Sequence, residues 1–75
     1  MNGDVFIDAK GLSCPMPVVK AKKGMDTLES GQVLEIHTTD KGSKSDLTAW
    51  ASSAGHELLS VDEVEDTFKF FIKKA

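Results

Sequence analysis

The chain has 75 residues, with 9 Lys+Arg against 12 Asp+Glu and a formal net charge of −3. That length holds a single domain, residues 1–75, and the acidic balance argues against direct nucleic-acid binding, which needs a basic face to neutralise phosphates. Leu, Ile, Val and Phe supply 19 of the 75 residues, above the roughly one-fifth below which a charged chain stays disordered, so the chain folds on a small core worth about 3–5 kcal/mol.

One Cys excludes an internal disulfide, and with only two His it falls short of a zinc ligand set, so no metal and no cofactor are expected. No charged-then-apolar leader and no long apolar run occur. Neither a signal peptide nor a membrane span is expected, and a reducing cytoplasm, where a lone thiol stays a thiol, is the expected location.

Val5-Phe6-Ile7, between Asp4 and Asp8, reads as a buried strand. Gly11-Leu12-Ser13-Cys14-Pro15-Met16-Pro17 reads as a loop entering a helix. Val18, Ala21, Met25 and Leu28 then recur at helical spacing, with Lys20, Lys22, Lys23 and Asp26 largely opposite, which predicts an amphipathic helix over about Pro15 to Glu29. Gly24 inside it costs about 1 kcal/mol relative to Ala, and Ser30-Gly31 is a stop signal.

Gln32 to Thr38 alternates, with Leu34, Ile36 and Thr38 on one face and Val33, Glu35 and His37 on the other, as a strand requires. Thr39-Asp40-Lys41-Gly42 is loop. Ser43 with Asp46 resembles a capping box, and Leu47, Trp50, Ala51 and Ala54 mark a second helix ended by Gly55. Leu58 to Val64 is a third strand, Glu65-Asp66 a tight turn, and Thr67 to Lys73 a fourth strand. The order β-α-β-α-β-β predicts an α/β (α+β) two-layer sandwich: a four-stranded mixed sheet with both helices on one face. The open face then carries Val33, Glu35, His37, Lys69, Phe71 and Lys73, and the fourth strand reads as a sheet edge guarded by Lys69, Lys73 and Lys74.

Cys14 is the candidate nucleophile. Pro15 pushes it out of the α region and suits the first helical position, which places Cys14 as the N-cap, at the positive end of the helix dipole. Such surroundings favour the thiolate. Pro15 and Pro17 have no N–H, so Met16 is the one early donor for the sulfur and the pKa depression is modest. Pro17 stiffens the turn.

If the first two strands are parallel, their C-terminal ends share an edge where chemistry gathers in such folds. Lys41 and Lys44, after the second strand, then either supply positive potential near the sulfur or are ordinary solvated charge. Lys20, Lys22 and Lys23 are a solvated helix face or a dock for an acidic partner. Phe71 is a candidate partner surface on the open sheet face, or a lone exposed aromatic. His37 faces the helix-free side, which argues against a Cys–His pair. His56 suits the end of the second helix, and Trp50 suits the core.

Gly11-Leu12-Ser13-Cys14-Pro15-Met16-Pro17 resembles the Gly-Leu-x-Cys-Pro-x-Pro element of the TusA/SirA family of small sulfur-carrier proteins. The likeness continues through Trp50 and Ala54-Gly55-His56-Glu57-Leu58 and covers essentially the whole chain. It implies a sandwich similar to the C-terminal domain of translation initiation factor three. It also implies a sulfurtransferase-like role, with Cys14 accepting persulfide sulfur from a cysteine desulfurase or other sulfurtransferase and relaying it to an acceptor protein. Pro15, Met16 and Pro17 are the supporting residues and the protein is expected to be a monomer. Met16 departs from the Cys-Pro-Glu-Pro of the tRNA-thiolation members, which leaves the pathway open. The alternatives are a thiol redox regulator and a non-catalytic interaction module that uses the open sheet face.

Overall fold

A computed structural model describes residues 3–13 and 15–75. Six elements follow one another: β1 (Val5–Ala9), α1 (Met16–Met25), β2 (Val33–Thr38), α2 (Ser43–Ala54), β3 (Glu57–Val64) and β4 (Thr67–Lys73). The sheet order is β1-β2-β4-β3. β1 and β2 are parallel, from Val5 opposite Leu34 to Ala9 opposite Thr38. β4 runs antiparallel to both β2 and β3. Both helices cover one face, α1 against β1 and β2, and α2 against α1 and β3. The expected α/β two-layer sandwich is the fold.

The core lies between the layers. Leu34 and Ile36 from β2, Phe70 and Ile72 from β4, Ala21 and Met25 from α1, and Leu47 and Ala51 from α2 are all buried there. Gly24 sits where α1 presses on the sheet: a Cβ there would stand 2.9 Å from Ile7 Cδ1 and 3.0 Å from Leu34 Cδ1. The propensity loss of a helical glycine is thus exchanged for close helix–sheet contact.

Five local readings are corrected. β1 is not fully buried: Val5 and Ile7 face the core, while Phe6 stands 53% exposed on the other side. The spacing Asp4, Phe6, Asp8 is the outward half of an alternating strand. Helix α1 ends at Met25, short of Glu29, where the ladder tightens to three-residue spacing: Thr27 N–H donates to Gly24 O and Leu28 N–H to Met25 O, each at 3.1 Å. Thr27 Oγ1 donates to Gly24 O at 2.6 Å, and Lys74 Nζ donates to Met25 O at 3.0 Å and Leu28 O at 2.6 Å. Lys74 is therefore a helix-end clamp and not an edge guard.

Ser43 forms no capping box. Gly42 is the N-cap, and the buried Ser43 hydroxyl donates to Asp40 O at 2.6 Å while Thr38 Oγ1 lies 2.5 Å from it. The pair pins the first turn of α2 to the end of β2. β4 is central, and the sheet edges are β1 and β3. Phe71 is consequently 5% exposed, although it lies on the helix-free face, because β2 and β3 flank it with Glu35 and Ser60. Trp50 is half-buried, packing against the core with its ring 5.4 Å from that of His56.

Candidate functional site

Cys14 lies outside the described residues; its neighbours on both sides do not. The loop leaving β1 is folded by Leu12 N–H donating to Ala9 O at 3.3 Å, and Gly11, at φ +81°, supplies a left-handed turn. Gly11 N–H donates to Thr39 Oγ1 at 2.9 Å. That bond ties the loop after β1 to the loop after β2, so the parallel ends meet as the topology requires.

On the other side, Pro15 is the N-cap of α1, with Met16 and Pro17 the first helical residues. The helix thus begins one residue later than the sequence reading places it. Met16 N–H donates to Ser13 O at 2.9 Å and Val19 N–H to Pro15 O at 3.1 Å. The Met16 amide, the one early donor that the two prolines leave, is thus engaged by Ser13 O; the sulfur it was expected to face lies outside the described residues. Ser13, Pro15 and Met16 are exposed, and Pro17 is buried against the core layer. One proline anchors the helix start while the other stiffens its approach.

Met16 and Lys20 line one groove of about 460 Å³ with Val5, Ile7, Val19 and Lys23. Lys41, in the turn before α2, and Lys44, in its first turn, are exposed and flank a shallow depression with Ser45 and Thr48. Lys41 also borders a cleft of about 400 Å³ that contains Glu63 and Asp66. The candidates therefore fall in separate places: Met16 and Lys20 on the groove beside α1, Lys41 and Lys44 on the outer side of α2. Phe71 belongs to the packed sheet.

The helix-free face holds a polar cluster that sequence reading left unassembled. His37 Nε2 donates to Glu35 Oε2 at 2.7 Å, and the His37 ring meets Phe6 edge-on with centroids 4.8 Å apart. Gly3 N–H donates to Glu35 Oε1 at 3.2 Å. This engagement keeps His37 on the side away from α1. Partial burial pushes the Glu35 carboxyl up, but the Gly3 N–H, the bonded His37 ring and the charges of His37 and Lys69 outweigh it and leave the pKa below its ordinary 4.5.

The fold thus favours ionised Glu35. Its contribution is complete above about pH 4.5 and is lost as pH falls through the lower folded value. Urea midpoints between neutral and acid pH should fall less steeply for Glu35→Gln than for wild type. Parallel curves would remove Glu35 from the acid response. Among the described residues no group of His, Cys, Asp and Glu is arranged to hold a metal ion.

The comparisons with known proteins converge. The sequence model of the family described as Sulfurtransferase TusA matches residues 5–74. YrkI of Bacillus subtilis strain 168 is 58% identical over 74 residues, covering 99% of both chains. The sulfur carrier protein TusA of Allochromatium vinosum is 44% identical over 72 residues, covering 96% of this chain and 95% of that one. The crystal structure of a SirA-like protein from Desulfitobacterium hafniense superposes with a TM-score of 0.81 at 28% identity, covering 92% of this chain and 95% of the other. A shared fold, a family match over nearly every residue and relatives of equal length together make this chain a member of the TusA sulfurtransferase family.

Proposed function

We propose that the protein is a sulfur carrier whose 75 residues act as one TusA-like unit, and that Cys14 holds the cargo as a persulfide. The Cys14 thiolate attacks the outer sulfur of a donor persulfide. A new S–S bond forms to Cys14, the donor's S–S bond breaks, and the donor leaves as a thiolate. The product, Cys14–S–SH, is a reversible state of cysteine. An acceptor nucleophile then attacks the terminal sulfur and Cys14 departs as thiolate, so no net oxidant or reductant is consumed.

The observation that carries the reading is the family match across residues 5–74, which includes Cys14 in its Gly-Leu-Ser-Cys-Pro-Met-Pro setting. Exposed Ser13 and Pro15, the chain neighbours of Cys14, suit a carrier that must offer its sulfur to visiting proteins. A single cysteine suits it too, since a second nearby thiol would close a disulfide and expel the cargo as sulfide. The donor on this reading is a cysteine desulfurase or another sulfurtransferase, the acceptor is a downstream protein, and a reducing compartment such as the cytoplasm keeps the free thiol ready.

Cyanide distinguishes a carrier from a thiol redox regulator, because it removes sulfane sulfur as thiocyanate. Protein treated with a cysteine desulfurase and cysteine, then desalted, should release one equivalent of thiocyanate and recover its thiol. Release of glutathione or cysteine by reductant, with no thiocyanate, would favour the redox reading and overturn this one.

A further inference from the structure

Among the described residues no helix covers the far side of the sheet, and Phe6 stands 53% exposed there. Its ring is held in place. His37 packs edge-on against it with centroids 4.8 Å apart, and Glu35 fixes His37 through the 2.7 Å bond to Nε2. Asp4 and Asp8, two positions before and after Phe6, are exposed on the same side. Backbone amides orient both carboxylates: Val33 N–H donates to Asp4 Oδ2 at 2.7 Å, and Lys10 N–H donates to Asp8 Oδ1 at 3.0 Å.

Charge on this part of the face is one-sided. Among the described residues the one ion pair is His37 with Glu35, so neither Asp4 nor Asp8 is paired with a cation there. The lysines of the face, Lys69 and Lys73, belong to β4, two strands and about 10 Å from β1. An exposed aromatic between two anchored carboxylates suits a cation with a flat apolar surface. A guanidinium is such a cation: it stacks on a ring and gives paired N–H bonds to a carboxylate, whereas an ammonium is a compact, strongly hydrated charge. Positions two apart on a strand are separated by about 6.6 Å, so one arginine over Phe6 reaches Asp4 or Asp8.

We propose that the helix-free face at Phe6 docks an arginine-bearing segment of a partner protein, its guanidinium stacked on Phe6 and bonded to the carboxylate of Asp4 or Asp8. The face lies opposite α1, so this docking is separate from the sulfur chemistry proposed for Cys14. A second copy of the chain fits worse. An isologous contact centred on Phe6 brings Asp4 and Asp8 of one copy against the same carboxylates of the other, and like charges set together oppose association.

The probe is a fluorescein-labelled peptide of alternating glycine and arginine, with lysine and citrulline counterparts, titrated into the reduced wild-type protein. Citrulline keeps the flat shape and removes the charge. The expected result is saturable anisotropy with the arginine peptide, about threefold weaker binding of the lysine peptide and none of the citrulline peptide. Phe6→Leu should lower affinity for the arginine peptide about threefold and erase its preference over lysine. The double variant Asp4→Asn, Asp8→Asn retains acceptors for the Val33 and Lys10 amides but loses the charge, and should bind about fivefold more weakly. Both variants alter exposed side chains, and circular dichroism verifies that they are folded. No saturable binding, equal binding of the arginine and lysine peptides to wild type, or arginine binding unchanged in either variant would overturn the proposal. So would a peptide-free dimer that dissociates in Phe6→Leu, which would assign the face to a second copy.

Discussion

Phe71→Ala should leave most of the protein unfolded at 25 °C, with no cooperative transition left to measure in urea. Removing a buried phenylalanine costs about 3–5 kcal/mol, and a core of this size supplies about the same amount. The argument depends on position. Phe71 is 5% exposed on the face that carries no helix, because β4 is an interior strand with Glu35 on one side and Ser60 on the other. Phe71→Leu keeps most of the volume and should retain a transition at a lower midpoint. Circular dichroism against urea distinguishes the two outcomes. A stable, well-folded Phe71→Ala protein that had merely lost a binding partner would restore the residue to a surface role.

Cys14→Ser should abolish sulfur uptake completely, not partly. Serine preserves the size of the side chain, but its hydroxyl cannot form the S–S bond that holds the cargo. No second cysteine exists in the 75 residues to take over. The measurement is cyanide-released thiocyanate after incubation with a desulfurase and cysteine, with circular dichroism to verify that the variant is folded. Any thiocyanate above the background of the desulfurase alone would place the sulfur somewhere other than Cys14.

The strand and helix order was legible because each element announces itself locally. Leu34, Ile36 and Thr38 alternate, Leu47, Trp50 and Ala51 follow helical spacing, and Gly55 stops α2 in a left-handed conformation at φ +81°. What the sequence hides is strand order across the sheet. Lys69, Lys73 and Lys74 resemble edge protection, yet β4 lies between β2 and β3 and Lys74 reaches α1 instead. That one misplacement also exposed Phe71 on paper. The clamp by Lys74 and the Thr38–Ser43 pair are tertiary contacts with no periodic signal, and only folding brings them together. Phe6 was different, since the alternation Asp4, Phe6, Asp8 already marks its outward face.

The site was legible to the extent that it is a contiguous motif. The proposed carrier residue Cys14 stands with Pro15 and Pro17 in one short motif, and the meeting of the loops after β1 and β2 follows from parallel pairing, as the Gly11–Thr39 bond illustrates. The role of the Met16 amide was not legible. Two prolines leave it as the evident early donor, and its partner among the described residues is Ser13 O.

The most direct measurement is the intact mass of the reduced protein after exposure to a cysteine desulfurase and cysteine. The account predicts a gain of a single sulfur atom, located on the peptide that contains Cys14, reversed by dithiothreitol and absent from Cys14→Ser. An unchanged mass, or the same gain in Cys14→Ser, would contradict it.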